Sequence, residues 1–353
     1  MKRLFAAPSL LLAALLLMPC GCAQKKLPAL GPSNLLTVVT NLGVGDESID
    51  YIKAAFAKPV KSVEKESRYS FEVHGPAELT RQRDSRNLVL VADLTKEDAV
   101  SRKAREVLGS RRTEQALQRA GWTVLPNVEA LGQTMVVVAG GDRSSIERLL
   151  AAEAEKLYAR ADSMVTERAV DIVYMRGEEP AMARYLESRY GWSVRIPRGF
   201  RTVEDRKNGV VKLVSADSQE PARLFLAYWT PSRTAAIDPE YCLRLRSRLA
   251  WLYYDEDRID PGSATISETT FQGRKAVRID GIWQNEKHLI GGPFFTLCFI
   301  AEGRLYLLDG AVFAPGMEKS PWLRQLEAVM LTFRAGRKPA RADYGFRASR
   351  LLC

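Results

Sequence analysis

The chain has 353 residues, 46% hydrophobic and 27% charged, with a formal net charge of +10. Most of the excess lies at the ends: Lys2, Arg3, Lys25 and Lys26 lead the chain, and Arg334, Arg337, Lys338, Arg341, Arg347 and Arg350 face only Asp343, leaving 42 basic and 41 acidic residues between 27 and 333. A near-neutral body excludes the basic groove that nucleic acid requires, and the length suits two domains of common size.

The first element is a secretory signal. Met1-Lys2-Arg3 is basic, Leu4 to Met18 is almost wholly apolar, and Gly21-Cys22 follows. The apolar run is short of the roughly 20 residues that a membrane-spanning helix needs, so cleavage is expected. The segment resembles a bacterial lipoprotein signal, in which residues 1–21 are removed and Cys22 is acylated. Pro19 and Cys20 depart from the usual pattern. Ala23, where Asp would retain an inner-membrane lipoprotein, implies the outer membrane, periplasmic face. Residues 22–34 then form a lipidated tether, with a reach of roughly 40 Å if fully extended.

Residues 35–170 read as an N-terminal α+β domain. Strands are expected at 35–40, 69–73, 88–94, 122–125 and 134–139, with a helix at 46–57 and two helical stretches in 98–120. Ser144-x-x-Glu147 reads as a capping box opening a helix of about 25 residues, whose face carries Ile146, Leu150, Leu157, Ala161 and Val165. Residues 171–190 form a helical connector. Residues 191–333 form the second α+β domain: strands near 210–216 and 222–229, a helix at 239–254, strands near 264–270, 274–284, 293–300 and 304–313, and a helix at 319–332. Ala301-Glu302-Gly303-Arg304 makes the last two strands a hairpin. Residues 334–353 are a basic tail. The fold class is α+β, two α/β sandwich-like domains, the second with a mainly antiparallel sheet packed by helices.

Arg86-Asn87 opening a strand, Ile196-Pro197-Arg198-Gly199-Phe200, and Gly291-Gly292-Pro293-Phe294 together resemble a family of bacterial lipoproteins of unknown function found mainly in Bacteroidota. The C-terminal half also resembles the PsbP-type α-β-α sandwich in its opening phrase. The resemblance implies fold and address; it implies no activity.

Motifs with catalytic meaning are weak. Gly43-x-Gly45-x-x-Ser48 lacks the third glycine of a dinucleotide fingerprint and puts Asp46 and Glu47 where a pyrophosphate would bind. Gly191-x-Ser193-x-Arg195 lacks the last glycine of a nucleophile elbow. His74 and His288 are unrelated in position, and no Cys/His spacing suits zinc. Asp255, Glu256, Asp257 and Asp260 do not match a calcium loop and read as a solvated turn. No catalytic residue, cofactor or metal is therefore expected.

The candidate recognition surface surrounds Gly291, Gly292, Pro293 and Phe294, because paired glycines let a partner approach the main chain closely. Arg278, Trp283, His288 and Asp309 are expected nearby. Asp309 shares its strand face with Leu305, Leu307, Ala311 and Phe313, so it should pair with a base such as Arg278 or hold its proton unusually tightly. Cys242 and Cys298 should face a core, either as a disulfide or as two packed thiols. The functional expectation is a lipid-anchored binding or envelope-assembly module, meeting the membrane through its lipid and either an envelope protein or a small apolar ligand. The alternative is an envelope hydrolase or transferase using carboxylates near Gly291–Phe294.

Overall fold

The computed structural model describes residues 26–60, 66–215, 221–234 and 236–336. The signal segment, Cys20, Cys22 and Cys353 lie outside the described residues. The fold is α+β and divides into two halves, each built on its own sheet.

The first half contains β1 (Leu35–Thr40), α1 (Ser48–Phe56), the two-residue strands β2 (Pro59–Val60) and β3 (Glu66–Ser67), β4 (Ser70–His74), α2 (Leu79–Gln82), β5 (Asn87–Asp93), α3 (Ala99–Gln118), β6 (Gly121–Pro126), β7 (Thr134–Gly140) and α4 (Arg143–Tyr174). Its sheet runs β4-β1-β5-β7-β6, parallel except for β6. Helices cover both faces, which is why NLVLVAD and TMVVVAG are buried at every position instead of alternating. On one face Val38, Val89 and Val136 meet Phe56, Ile146, Leu150 and Leu157; on the other Leu88, Leu90 and Val137 meet Val100 and Ala104 of α3. The two helical stretches expected in 98–120 are present and meet within α3 at Gly109, whose φ of 72° and ψ of 169° break the helical path between them. The capping box at Ser144 is not used. Asp142 is the N-cap instead, accepting from the Ser145 amide at 2.8 Å.

Contrary to a free tether over 22–34, the chain from residue 27 is laid along the body. Ala29 N donates to Leu131 O, Leu30 N to Asp84 O and Arg86 N to Leu30 O, at 2.7–2.8 Å, and Ala29 is buried.

The second half contains α5 (Pro180–Tyr190), β8 (Trp192–Ser193), β9 (Phe200–Asp205), β10 (Val210–Ser215), β11 (Ala222–Pro231), α6 (Pro239–Tyr253), β12 (Arg258–Ile259), β13 (Thr265–Phe271), β14 (Arg274–Asn285), β15 (Ile290–Ala301), β16 (Arg304–Phe313), α7 (Ser320–Leu331) and β17 (Arg334–Ala335). The sheet is antiparallel throughout, ordered β12-β14-β15-β16-β11-β10-β9 with β13 also on β14. The β15–β16 hairpin turns at Glu302 and Gly303, both at positive φ, the geometry of a two-residue type I′ loop. Alternation sorts the strands: Phe295, Leu297, Phe299, Tyr306 and Leu308 share a core with α5 and α7, while Phe294, Cys298, Leu307 and Ala311 share one with α6.

Two boundaries move. The connector expected over 171–190 divides: its first residues end α4, and α5 belongs to the second half, because Leu186 and Tyr190 are fully buried with Trp192 and Trp229. The basic tail begins docked: β17 pairs with β8 and Gly336 N donates to Gly191 O, while residues 337–353 lie outside the described residues.

Cys242 and Cys298 are free thiols, not a disulfide. Both are buried in the α6 core, where burial, with a smaller contribution from neighbouring Cys242, pushes the Cys298 thiol well up and disfavours the thiolate that oxidation requires.

The glycines before Pro293 are also explained within the sheet. A Cβ on Gly292 would overlap Val312 O, and one on Gly291 would sit 2.7 Å from Trp283 O. The close approach expected of a partner is made by the protein's own backbone, with Trp283 Nε1 donating to Val312 O at 3.2 Å. Gly292→Ala should therefore lower stability by about 1–3 kcal/mol through overpacking, read as a lower urea midpoint. An unchanged midpoint would show that the sheet can give way there.

Candidate functional site

The residues singled out around Gly291–Phe294 separate into three places. His288 stands on the exposed β14–β15 turn with Nε2 2.6 Å from Asp255 Oδ2, and Lys287 reaches the same carboxylate at 3.0 Å. These two bonds hold the Asp255 carboxyl below the usual carboxylate range. Among the described residues, no group of three His, Cys, Asp or Glu side chains gathers to hold a metal. Asp257, expected in a solvated turn, is instead buried and accepts from Asn285 Nδ2 at 2.8 Å.

Asp309 and Phe294 belong to the core beneath α6. The partner of Asp309 is Arg246, not Arg278, which lies on the opposite face of the sheet beside Phe295. Arg246 Nε donates to Asp309 Oδ1 at 3.2 Å, Thr296 Oγ1 donates to the same oxygen at 2.5 Å, and the guanidinium stacks on the Phe294 ring at 3.5 Å. Both side chains of the pair are almost wholly excluded from solvent. Arg246 was legible in part, since it shares a helical stripe with Cys242, Leu245, Leu249 and Ala250.

Arg278 belongs to a third place, a polar pocket of about 340 Å³ on the seam between the halves. Pro293 and Phe294 contribute to its wall, with Arg68, Asp162, Asp280 and Glu327. Arg68, just before β4, forks between two carboxylates: Nε and Nη2 donate to Asp162 of α4 at 2.9 and 3.0 Å, and Nη2 also donates to Glu327 of α7 at 2.7 Å. Arg278 of β14 donates to the other Glu327 oxygen at 3.0 Å and to Asp280 at 2.7–3.1 Å. Arg324 of α7 crosses back, donating to Asp162 at 2.9 Å and to Thr166 at 2.9 Å, and the Tyr69 hydroxyl donates to Asp162 at 2.9 Å. Sequence reading missed Arg68, Asp162, Arg324 and Glu327. The available signal was charged residues adjoining the apolar stripes of α4 and α7.

Three arginines and three carboxylates make the cluster neutral. Burial by itself would raise the Glu327 carboxyl, but Arg68 and Arg278 outweigh it and hold the group down at about 2. Asp162 is depressed further, its burial likewise outweighed by Arg68 and Arg324. Such carboxylates are too acidic to donate a proton at neutral pH and too weakly basic to take one, so the pocket is not arranged for general acid–base chemistry. A second, wider groove of about 680 Å³ lies along the same seam, between Ala54 of α1, Ala57 just past its end, Phe71 of β4 and Met317 before α7.

Residues 179–332 match the family described as "Domain of unknown function (DUF4837)". No curated protein matches. Among solved structures, a Bacteroides thetaiotaomicron VPI-5482 protein is 12% identical over 43% of this chain with a TM-score of 0.28, and this chain spans 47% of its length. The Saccharomyces cerevisiae Ran-binding protein Mog1p is 10% identical over 41% of this chain and 90% of its own, with a TM-score of 0.28. Human STARD10 is 11% identical over 38% and 68%, with a TM-score of 0.21. The fold is accordingly read from its own topology.

The depressed carboxylates fix the sign of the acid response. Glu327 contributes stability that is complete above its ordinary value near 4.5 and is lost progressively as pH falls toward about 2. Urea midpoints of the wild type should decline through that window. Glu327→Gln should already cost about 3–5 kcal/mol at pH 7, because Arg68 and Arg278 lose their shared buried counter-charge, and its acid limb should be flatter.

Proposed function

We propose that the chain is an outer-membrane lipoprotein, acylated on Cys22 and facing the periplasm, that serves as a non-catalytic binding or envelope-assembly module. One observation carries the non-catalytic part: the carboxylates gathered on the seam, and Asp309 beneath α6, are each committed to an arginine. The sequence supports the address through its basic start, short apolar run and Gly21-Cys22. No helix among the described residues is long and apolar enough to cross a membrane, which fits an anchor supplied by lipid. On this reading the second half resembles the GGPF-bearing lipoprotein family and the PsbP-type sandwich, and its antiparallel sheet with helices on both faces supports the sandwich likeness.

The wider seam groove is the better binding surface, since Ala54, Ala57, Phe71 and Met317 line it with apolar atoms beside Lys53 and Glu66. It suits a small apolar ligand or an apolar segment of an envelope protein. Two measurements test the proposal. Radiolabelled palmitate should enter the wild type and disappear in Cys22→Ser; label that persists there and vanishes in Cys20→Ser would move the anchor. After mild detergent extraction, Ala54→Trp should lose the co-purifying species at an unchanged melting temperature, because Ala54 is exposed and helical. Retention of that species would remove the groove as the binding surface, and turnover of an envelope substrate lost in Glu327→Gln at retained affinity would favour the enzyme alternative.

A further inference from the structure

Leu27, Leu30 and Leu131 are 74%, 65% and 48% exposed. They adjoin one another: Pro28 forms a bridge with Leu131, and Leu131 N donates to Leu27 O at 2.8 Å. Ala29 turns inward while Leu27, Pro28 and Leu30 stay exposed, so the segment leaves a strip of apolar side chains in solvent although its backbone is stapled to the body. Arg86 strengthens the staple, with Nε donating to Gly31 O at 2.9 Å and Nη2 to Ala29 O at 3.3 Å. Lys26 adds bonds from Nζ to Asn127 O and Val128 O at 2.6–2.7 Å.

This strip lies where the described chain begins. Three residues lie between Cys22 and Lys26, and the four chain steps from one to the other span at most about 14 Å in any conformation. A lipid on Cys22 therefore cannot hold the body far away, as a tether free to residue 34 would. We propose that the face carrying Leu27, Leu30 and Leu131 is a membrane-contacting surface that rests in the headgroup region of the leaflet holding the anchor; this rests on the acylation of Cys22. Its apolar side chains carry the part of the contact that salt does not screen, added to the charge of Lys26 and Arg86, which bond to carbonyl oxygens and stay unneutralised among the described residues, whereas the neighbouring Arg81 and Arg83 pair with Glu78 and Asp84 at 3.0 and 3.7 Å. That apolar part should consequently resist salt.

The test uses the full-length acylated protein in vesicles of phosphatidylethanolamine and phosphatidylglycerol, in a Cys353→Ser background. An environment-sensitive fluorophore is placed at Leu131→Cys or, in the other half, at Leu289→Cys, which replaces the most exposed of the large apolar side chains. Lipids brominated on their acyl chains should quench the probe at 131 and not the one at 289, at low and high salt alike. In Leu27→Asp with Leu30→Asp the quenching at 131 should be lost while palmitate incorporation and melting temperature are kept. Palmitate incorporated without selective quenching at 131, or quenching that survives both aspartates, overturns the surface. Absence of palmitate overturns the anchor and the surface with it.

Discussion

The structure depends on the exchange of partners across the seam. Arg68 belongs to the first half and reaches Glu327 of the second; Arg324 belongs to the second and reaches Asp162 of the first. A guanidinium withdrawn from water is costly unless it is paired and hydrogen-bonded, and a bidentate carboxylate satisfies both needs at once. Each half thus supplies the counter-charge that lets the other be buried. Each half's share of the cluster is neutral by itself, Arg68 with Asp162 in the first and Arg278 and Arg324 with Asp280 and Glu327 in the second, yet the cross-bonds of Arg68 and Arg324 form only when the halves are together.

Around that network the two sheets are joined by ordinary packing and capping. α4 is the shared element: Ile146 to Met164 cover the parallel sheet, and farther along the Tyr174 hydroxyl donates to Arg195 O at 2.8 Å while the Arg195 guanidinium lies 3.8 Å over its ring. α7 begins at the seam, and its first amides are satisfied from the other half. Lys319 N and Ser320 N donate to the Glu66 carboxylate at 2.6–2.9 Å, which places a negative charge at the positive end of that helix. Ser320 Oγ then donates to Arg68 O at 2.9 Å, tying the cap to the arginine that organises the network.

The same economy governs the interior of the second half. Asp309 and Arg246 neutralise each other between α6 and the sheet, and Phe294 supplies an aromatic face to the guanidinium. Phe294 and its preceding glycines are therefore explained by a buried ion pair and by Val312 O. Their distinctiveness in sequence reflects how tightly β15 must approach β16 and Trp283, and that tightness leaves no main chain open to a partner.

Much of the element order was legible in the sequence, because near-continuous apolar runs mark the strands of both sheets that are covered on two faces: Leu88–Ala92 and Met135–Ala139 in the first, Phe294–Ile300 and Leu305–Val312 in the second. The β15–β16 hairpin followed from Glu302-Gly303 in the same way. Phe200–Asp205 escaped because its side chains are only partly buried, so it carries no strong pattern. The two-residue strands β2, β3, β8, β12 and β17 are too short to carry a period. The seam was illegible for a different reason. Arg68, Asp162, Arg278 and Glu327 are spread over some 260 positions, and a charged residue beside an apolar stripe ordinarily means solvent. Sequence by itself determined the class of most of the long elements and the buried stripe of the main helices, since apolar runs and helical periodicity are encoded locally. Only the tertiary structure decided that Asp309 meets Arg246, that Gly292 accommodates a carbonyl of its own sheet, and that six charges converge between the halves, because pairing across long chain separations is set by packing geometry and not by spacing.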